Sequence, residues 1–188
     1  ELDKWKDIHA KFHIPAPDEK GVIEEFDGYF GLADNLDGVS ECHCAHSRAV
    51  KQPDVLAAFV PFEHLFPLDI RRSNWRFYAA RTLHGSSLSH PGMAHAAARA
   101  GLIEEAIYHL SMAARLDLDD LNLDGGRGVH ISCYAVAWRA VVCGFGGLVP
   151  GRECLHFEPS LPRSWRYLKF AVHWQFERVT ASVENDRI

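Results

Sequence analysis

The stretch RTLHGSSLSHPGMAHAAARAGLIEEAIYHLSMAAR, residues 81–115, decides the fold class. Its alanine-rich part, roughly 91–99, predicts one helix, and Gly101 supplies the break that commonly ends a helix. A second set of apolar residues follows at helical spacing, namely Ile103, Ala106, Ile107, Leu110 and Ala114. Two helices joined by so short a connection form a helical hairpin, so the stretch predicts a mainly α-helical protein.

A glycine and three serines stand in front of the first of these helices, namely Gly85, Ser86, Ser87 and Ser89. A serine at a helix start can cap an unpaired backbone N–H group, and one serine suffices for that purpose. A helix start with several hydroxyl groups is also suited to an anion such as phosphate. The residues alone leave both interpretations open.

Helical spacing recurs elsewhere in the first 150 residues. It predicts a helix at the start of the chain that ends before Pro15, one from about Pro53 to Pro61, and one over roughly 129–142 that ends at Gly144. These three helices and the two helices of the hairpin make at least five.

After about residue 150 the period of the apolar residues changes to two, which is typical of half-buried strands. The alternating residues are Leu155, Phe157, Leu168, Phe170, Val172, Trp174, Val179, Ala181 and Val183. We therefore predict a helical domain over 1–148 and a C-terminal β-strand domain over 149–188. So short a tail either packs on the helices or completes a sheet begun elsewhere.

Composition and charge restrict the classes of function. The 188 residues are 47% hydrophobic, which is enough for a packed core, and carry a net charge of −5. The chain has no Lys/Arg cluster of the kind that binds nucleic acid and no apolar run long enough to span a membrane. The five cysteines are an odd number and predict reduced thiols in a cytoplasmic protein.

The first residues predict that the chain is a fragment of a longer protein. It does not begin with Met, and Leu2, Trp5 and Phe12 form an apolar stripe at helical spacing that needs a partner. We expect the function to be shared with sequence beyond these residues.

Other groups of ligand-type residues favour ordinary structural roles. Cys42, His43, Cys44 and His46 lack the second pair of ligands that a structural zinc site needs, so we interpret them as a variable loop. The acidic stretch LDLDDLNLDGG lacks the ligand order of a calcium loop. His95 and His109 lie within helical runs and are interpreted as surface or core histidines, and Trp138 and Trp165 as core residues.

Lys51 and Gln52 stand at the N-terminal end of the helix predicted from Pro53, where the helix dipole disfavours a lysine. An ammonium group beside an amide can donate several hydrogen bonds to sugar hydroxyls or to an anion. A solvated lysine is an equally open interpretation.

Five segments resemble, in order and spacing, the glycoside hydrolase family 65 phosphorylases, the group that acts on maltose, trehalose and kojibiose. The segments are VKQPDV (50–55), RTLHGSSLS (81–89), ARLDLDDLNLDGGRGVH (114–130), GFGG (144–147) and LHFEPSLPRSWRYLKF (155–170). The earlier segment VIEEFDGYF (22–30) is similar to the family sequence that precedes the lysine–glutamine pair. The match covers nearly the whole chain.

The resemblance implies an (α/α)6 barrel between an N-terminal β-sandwich and a small C-terminal β-sheet domain. This chain would then be a partial (α/α)6 barrel followed by an antiparallel β segment. Family members cleave an α-linked glucoside with inorganic phosphate, with inversion, to give β-glucose 1-phosphate. They need no metal or organic cofactor, and the resemblance suggests a homodimer.

Carried onto this sequence, the family motifs imply site residues. Lys51 and Gln52 match the pair that holds glucose, Ser86 and Ser87 match the serines that hold phosphate, and His130 matches the histidine near the phosphate. Phosphate is itself a nucleophile, so the protein needs only to hold it in line with the bond that breaks.

The family's catalytic glutamate lies N-terminal to every segment seen in this chain. We therefore assign no catalytic residue and expect the isolated chain to be inactive. The sequence also departs from the family pattern: Glu25 stands where glutamine is usual, and Ala79 and Ala80 stand where a glutamate is usual before the R-T-x-H motif.

Two other functions stay open beside the phosphorylase. One is a trehalase-like hydrolase on the same barrel, in which a carboxylate replaces phosphate, although the paired serines argue against it. The other is a non-catalytic helical module that binds carbohydrate. The sequence does not determine which disaccharide or linkage would be cleaved.

Overall fold

The computed structural model describes residues 1–11, 13, 15–34, 36, 46–123 and 125–185. Within these ranges the α-helices are α1 (Leu2–Lys11), α2 (Asp54–Phe59), α3 (Leu68–Ala79), α4 (Ser89–Arg99), α5 (Ile103–Arg115) and α6 (Ile131–Arg139), and a π-helical segment, Ala140–Phe145, continues α6. The strands are β1 (Leu148–Pro150), β2 (Leu155–Phe157), β3 (Tyr167–Trp174) and β4 (Glu177–Glu184). The prediction of a mainly α-helical, partial barrel with a short antiparallel β segment is confirmed.

The alanine-rich helix α4 lies at the centre of the helical part. Ala94, Ala97 and Ala98 are buried, and their small side chains let neighbouring helices approach closely. One such neighbour is the π-helical segment, where a Cβ added to Gly144 would lie 3.1 Å from the Cβ of Ala98. Gly101 has a φ of 72°, the left-handed conformation that favours glycine, and reverses the chain into α5. The predicted helical hairpin is confirmed.

Helix α3 is not predicted by the spacing of apolar residues, because charged and polar residues interrupt its sequence, LDIRRSNWRFYA. Its buried face instead uses Asn74, Trp75 and Tyr78. The Asn74 Oδ1 accepts the N–H of Ile23 at 2.8 Å, and its Nδ2 donates to the carbonyl of Gly21 at 2.8 Å. These bonds fix the loop that precedes Glu25 against α3.

Two predictions about apolar side chains have different outcomes. Trp165 packs on Phe145, with ring centroids 5.0 Å apart, as predicted for a core residue. The prediction that Trp138 is a core residue is wrong, since 54% of it is exposed. Helix α6 packs on α5 through Cys133 and Ala137, so Trp138 lies on another face.

Helix α1 has no buried residue in the structure, and 70% of Leu2 and 65% of Trp5 are exposed. Among the described residues, the predicted apolar stripe therefore has no covering partner. The third residue of the stripe, Phe12, lies outside the described residues. No helix in the described ranges is both long and apolar enough to cross a membrane.

The β segment forms two antiparallel pairs. β1 pairs with β2, with Leu148 opposite Phe157, and β3 pairs with β4 in a hairpin. The tail packs on the helices, which was one of the two arrangements left open, and the Arg99 Nη2 lies 2.8 Å from the Glu158 Oε2 across this contact. β1 is not predicted by the alternation and begins at Leu148; the domain division between 148 and 149 stays a prediction.

Candidate functional site

The segments that carry Lys51 and Ser86 run side by side. The N–H of Val50 donates to the carbonyl of Arg81 at 2.9 Å, and the N–H of Leu83 donates to the carbonyl of Val50 at 2.8 Å. This parallel bridge joins residues about 30 positions apart in the chain. It fixes the residues that follow each segment relative to one another.

A cavity of about 550 Å³ opens at this bridge. It is lined by Glu25, Phe26, Tyr29, Ser47, Ala49, Val50, Lys51, Gln52, Asp54 and Ser86. The structure thus brings together three of the five predicted site residues, Lys51, Gln52 and Ser86, at one opening. The cavity size and its mixture of aromatic and polar lining are typical of small-molecule sites.

Lys51 lies three residues before the start of α2, because the helix begins at Asp54. The helix dipole acts over the first turn only, so the predicted penalty for a lysine at this place is small. Gln52 donates from its Nε2 to the Asp54 Oδ1 at 3.2 Å. Lys51 is exposed and Gln52 is half-buried, with both on the cavity wall.

Ser86 and Ser87 precede α4, which begins at Ser89, and both are half-buried. The residue directly before the helix is Leu88, whose side chain makes no capping hydrogen bond. The Ser86 Oγ accepts the N–H of Leu88 at 3.3 Å, which closes a local turn and leaves this residue on the cavity wall. A capping serine makes the same bond to the N–H two residues on, so the capping and phosphate interpretations of Ser86 both stay open.

Among the described residues that line this cavity, neither Ser87 nor His130 is present. The His130 ring instead pairs with Asp117, with 2.6 Å between Nδ1 and Oδ1, and the His130 N–H donates to the Asp117 Oδ2 at 2.8 Å. These bonds hold the pKa of Asp117 below its usual value. The carboxylate accepts a hydrogen bond from Nδ1 and thereby fixes the orientation of the ring. Phosphate binding by Ser87 and His130 stays a prediction.

Two carboxyl groups of the cavity, Glu25 and Asp54, are not assigned a role by the sequence. Burial raises the pKa of Glu25 to about 7, and the charge of Asp54 adds to this effect. The Glu25 Oε2 is buried and has no hydrogen-bond partner among the described residues. Two features of the sequence could have pointed to these residues. Glu25 departs from the family pattern, and Asp54 lies within the family motif VKQPDV.

The raised pKa of Glu25 predicts a pH-dependent effect on stability. The native state holds the Glu25 proton up to about pH 7, whereas the unfolded chain loses it near pH 4.5. Glu25 therefore stabilises the fold fully below its unfolded pKa, and this contribution is lost as the pH rises through about 7. We expect Glu25→Gln to raise the melting temperature at pH 8 and to change it little at pH 4.

Thermal unfolding at both pH values checks this prediction. The exposed carboxylate Glu19, replaced by glutamine, serves as the control for removal of one charge. An effect of Glu25→Gln that is equal at pH 4 and pH 8 would contradict the prediction.

A second cavity, of about 240 Å³, lies against the N-terminal part of α4 and shares Gln52 and Asp54 with the first. His95 and Arg139 line it. Burial lowers the pKa of His95 to about 3, and the charge of Arg139 adds to this shift. His95 is therefore a neutral, buried histidine, in agreement with its interpretation as a core residue.

The prediction that the cysteines are reduced thiols concerns three cysteines among the described residues. Cys133, Cys143 and Cys154 are free thiols. Cys42, His43 and Cys44, interpreted as part of a variable loop, lie outside the described residues.

Comparisons with known proteins agree with the resemblance seen in the sequence. Residues 1–139 match the model of the glycosyl hydrolase family 65 central catalytic domain, and residues 150–188 match that of the family's C-terminal domain. The chain is 31% identical to a 1,2-alpha-glucosylglycerol phosphorylase of Bacillus selenitireducens, over 100% of this chain and 27% of the relative. It is also 31% identical to the maltose phosphorylase of Bacillus subtilis, over 100% of this chain and 26% of the relative.

A solved structure gives the same result. A human-microbiome protein provisionally assigned as a kojibiose phosphorylase superposes with a TM-score of 0.83 at 30% identity, over 98% of this chain and 26% of that chain. The chain thus spans about a quarter of the length of the relatives it matches. Since both family models match in sequence order and cover most residues, the chain belongs to glycoside hydrolase family 65.

Proposed function

We propose that the chain is part of an inverting phosphorylase that cleaves an α-linked glucoside with inorganic phosphate to give β-glucose 1-phosphate and a second sugar. The observation that carries this proposal is the cavity at which Lys51, Gln52 and Ser86 meet. The relatives reported above, which are named as phosphorylases, support it.

The chemistry of the cavity suits a sugar. The Lys51 ammonium and the Gln52 amide can donate hydrogen bonds, whereas the carboxyl groups of Glu25 and Asp54 can accept them. Glucose hydroxyls both donate and accept, so a wall with both kinds of group recognises a polyol. Because the carboxyl groups of Glu25 and Asp54 would repel phosphate, we place the phosphate at the Ser86 end of the cavity. Ser87 and His130 are its further ligands in this proposal.

The proposed reaction needs little from these residues beyond binding and orientation. Phosphate attacks the anomeric carbon from the face opposite the leaving sugar, which inverts the configuration. Serine hydroxyls and a histidine would hold the nucleophile in line, and Lys51 with Gln52 would hold the glucose ring. The resemblance places the proton donor for the leaving oxygen outside residues 1–188, so we propose no catalytic residue here and no turnover by the isolated chain.

The dependence of the full-length protein on phosphate tests the proposal. The protein would be given maltose, trehalose, kojibiose and glucosylglycerol with and without inorganic phosphate, and phosphorus NMR would identify any glucose 1-phosphate. We expect product only when phosphate is present. Release of glucose without phosphate would contradict the proposal.

One observation favours a hydrolase as the second candidate. The cavity holds two carboxyl groups, and the pKa of Glu25, about 7, suits a proton donor at neutral pH. An inverting hydrolase needs such a pair. This candidate predicts hydrolysis without phosphate that is abolished by Glu25→Gln, whereas the phosphorylase predicts that the reaction still requires phosphate.

Removal of the Lys51 ammonium is expected to weaken the sugar substrate. A charge-assisted hydrogen bond contributes roughly 1.5–3 kcal/mol, so Lys51→Ala in the full-length enzyme should raise the Michaelis constant for the glucoside about ten- to a hundredfold. The Michaelis constant for phosphate should change less. Steady-state kinetics with each substrate varied in turn checks this, and exposed Lys20→Ala is the control. Unchanged sugar kinetics would mean that Lys51 does not bind the sugar.

The proposal also includes the cytoplasmic location indicated by the odd number of cysteines and the homodimer suggested by the family resemblance. Light scattering of the full-length protein would test the second of these.

A further inference from the structure

Three histidines, from the loop that contains Ser86 and from the two helices that follow it, meet in one group. His84 lies in the loop before Ser86, His90 in the first turn of α4, and His109 in the middle of α5. One ring nitrogen of each lies within 4.8 Å of a ring nitrogen of the other two. They form the one such group of potential metal ligands found among the described residues.

The contacts within this group, the histidine cluster, are close. The Nδ1 atoms of His90 and His109 are 2.9 Å apart, and the Nδ1 of His84 is 2.8 Å from the Ser89 Oγ. The rings of His84 and His90 are parallel, with centroids 4.1 Å apart. Because a short nitrogen–nitrogen contact needs exactly one proton between the two rings, the cluster is compatible with neutral imidazoles and not with two charged ones.

The surroundings keep these rings neutral. His109 is 5% exposed, and the rings of Trp75 and Tyr108 pack against it. Burial lowers the pKa of His90 to about 4 and that of His109 to about 3, and it lowers the pKa of His84 in the same direction. A neutral imidazole nitrogen is the form that coordinates a metal ion.

The backbone at His84 is also unusual. Its φ is 56°, in the left-handed region that residues other than glycine rarely adopt. Such conformations persist where the surrounding structure holds them, and they occur often at ligand sites. This backbone conformation places the His84 ring beside the rings of His90 and His109.

We propose that His84, His90 and His109 bind one divalent transition-metal ion of the zinc class. Imidazole nitrogen suits Zn²⁺, Cu²⁺ and Ni²⁺ and does not suit Mg²⁺ or Ca²⁺. Zinc–nitrogen bonds of about 2.0–2.1 Å in a tetrahedral site place the nitrogens roughly 3.4 Å apart. This separation lies between the 2.9 Å from His90 Nδ1 to His109 Nδ1 and the 4.8 Å within which all three ligand atoms lie. One of the two stacked rings must turn so that both ring planes contain the ion, and water supplies the fourth ligand.

This site is independent of the proposed reaction, for which the family resemblance implies no metal. Bound metal would tie the loop of His84 to the α4–α5 hairpin and thereby fix the neighbouring turn at Ser86. Binding to the native state alone also stabilises the fold in proportion to the logarithm of the metal concentration. The site is therefore expected to be a structural one that orders the loop.

Other ligand-type residues could bind zinc and must be removed from the measurement. Cys154 and His156 are exposed and close, with 3.3 Å between Sγ and Nε2. Cys42 and Cys44 add two more thiols in the sequence. A background that carries Cys42→Ser, Cys44→Ser and Cys154→Ser removes these three thiols, leaves His156 without its thiol partner and keeps the histidine cluster.

Calorimetric titration of this background with Zn²⁺, after treatment with a chelator, tests the proposal in the full-length protein. We expect one equivalent to bind, with at least about tenfold weaker binding after His109→Gln or His90→Asn. The control His173→Gln alters an exposed histidine on β3 and should leave the affinity unchanged. Zinc should raise the melting temperature of the background and of the control, and not that of the cluster variants.

Titration with Co²⁺ gives a second readout, since its visible absorption reports nitrogen coordination in a tetrahedral site. Loss of this band in His90→Asn would support the proposal without dependence on the buried His109, whose replacement could prevent folding. Equal Zn²⁺ affinity in the background and in His90→Asn, or no bound equivalent in the background, would overturn it. Neither result depends on whether the enzyme is a phosphorylase or a hydrolase.

Discussion

Replacement of both Ser86 and Ser87 by alanine in the full-length enzyme is expected to raise the Michaelis constant for phosphate at least tenfold. A hydroxyl that donates to a charged oxygen in a site closed from water contributes roughly 1.5–3 kcal/mol. A tenfold change corresponds to about 1.4 kcal/mol, so the loss of either serine reaches this limit alone. The Michaelis constant for the sugar should change less, because Lys51 and Gln52 remain.

The structure makes the single variant Ser86→Ala informative. Ser86 lines the cavity shared with Lys51 and Gln52, and its Oγ bonds the N–H of Leu88. Ser86→Ala therefore removes a turn bond as well as the proposed phosphate contact, and its effect on stability should be measured beside its kinetics. The exposed Ser111→Ala on α5 is the matched control. An unchanged phosphate constant in the double variant would refute the phosphate role of both serines.

His130→Ala examines the third predicted phosphate residue. This variant should also raise the Michaelis constant for phosphate if the His130 ring and the serines face one anion. The pair with Asp117 offers a comparison, since Asp117→Asn removes the carboxylate that orients the ring but leaves the imidazole present. A smaller increase for Asp117→Asn than for His130→Ala is expected if the ring itself contacts phosphate.

The substitution Gly147→Ala is expected to destabilise the fold by roughly 2–5 kcal/mol, from the cost of a left-handed conformation and of overpacking. Gly147 has a φ of 65°, which disfavours residues with a Cβ. A Cβ at this position would lie 2.0 Å from the carbonyl oxygen of Glu158, which is backbone and cannot turn aside. The same two residues share a backbone bond, from the N–H of Glu158 to the carbonyl of Gly147, at 3.0 Å.

Urea unfolding measures this effect, and limited proteolysis shows where it acts. Because Gly147 joins the π-helical segment to β1, the segment from 148 onward should become the most rapidly cleaved part. The control is Gly92→Ala in α4, where an added Cβ meets no atom within 4 Å. That variant should gain roughly 0.4–1 kcal/mol, since alanine restricts the unfolded chain. Equal stability of the two variants would contradict the prediction.

Periodicity alone predicts the elements whose buried face is made of apolar residues. The α4–α5 hairpin follows from its helical spacing and from Gly101, and the β3–β4 pair follows from its alternation. Helix α3 does not follow, because Asn74 occupies a fully buried position through hydrogen bonds to a distant loop. A polar residue in the core cannot be told from a surface residue until its partners are known.

The site residues came from family motifs and not from periodicity. Lys51, Gln52 and Ser86 do meet at one cavity, whereas Ser87 and His130 are not among the described residues that line it. Glu25, which the sequence marks only as a departure from the family pattern, is a carboxyl group of that cavity whose pKa is raised to about 7. Its burial depends on neighbours from other segments, which the local sequence does not specify.

The sequence by itself determined the helical hairpin, the change to β structure near residue 150 and the family to which the chain belongs, because these depend on local spacing and on short motifs. Only the tertiary structure decided which side chains face one another. The sequence indicates an ordinary helical histidine at position 109, but the α4–α5 hairpin places the His109 Nδ1 2.9 Å from the His90 Nδ1. The physical reason is that the distance between two side chains depends on the packing of whole elements, and a sequence pattern fixes only the conformation within each element.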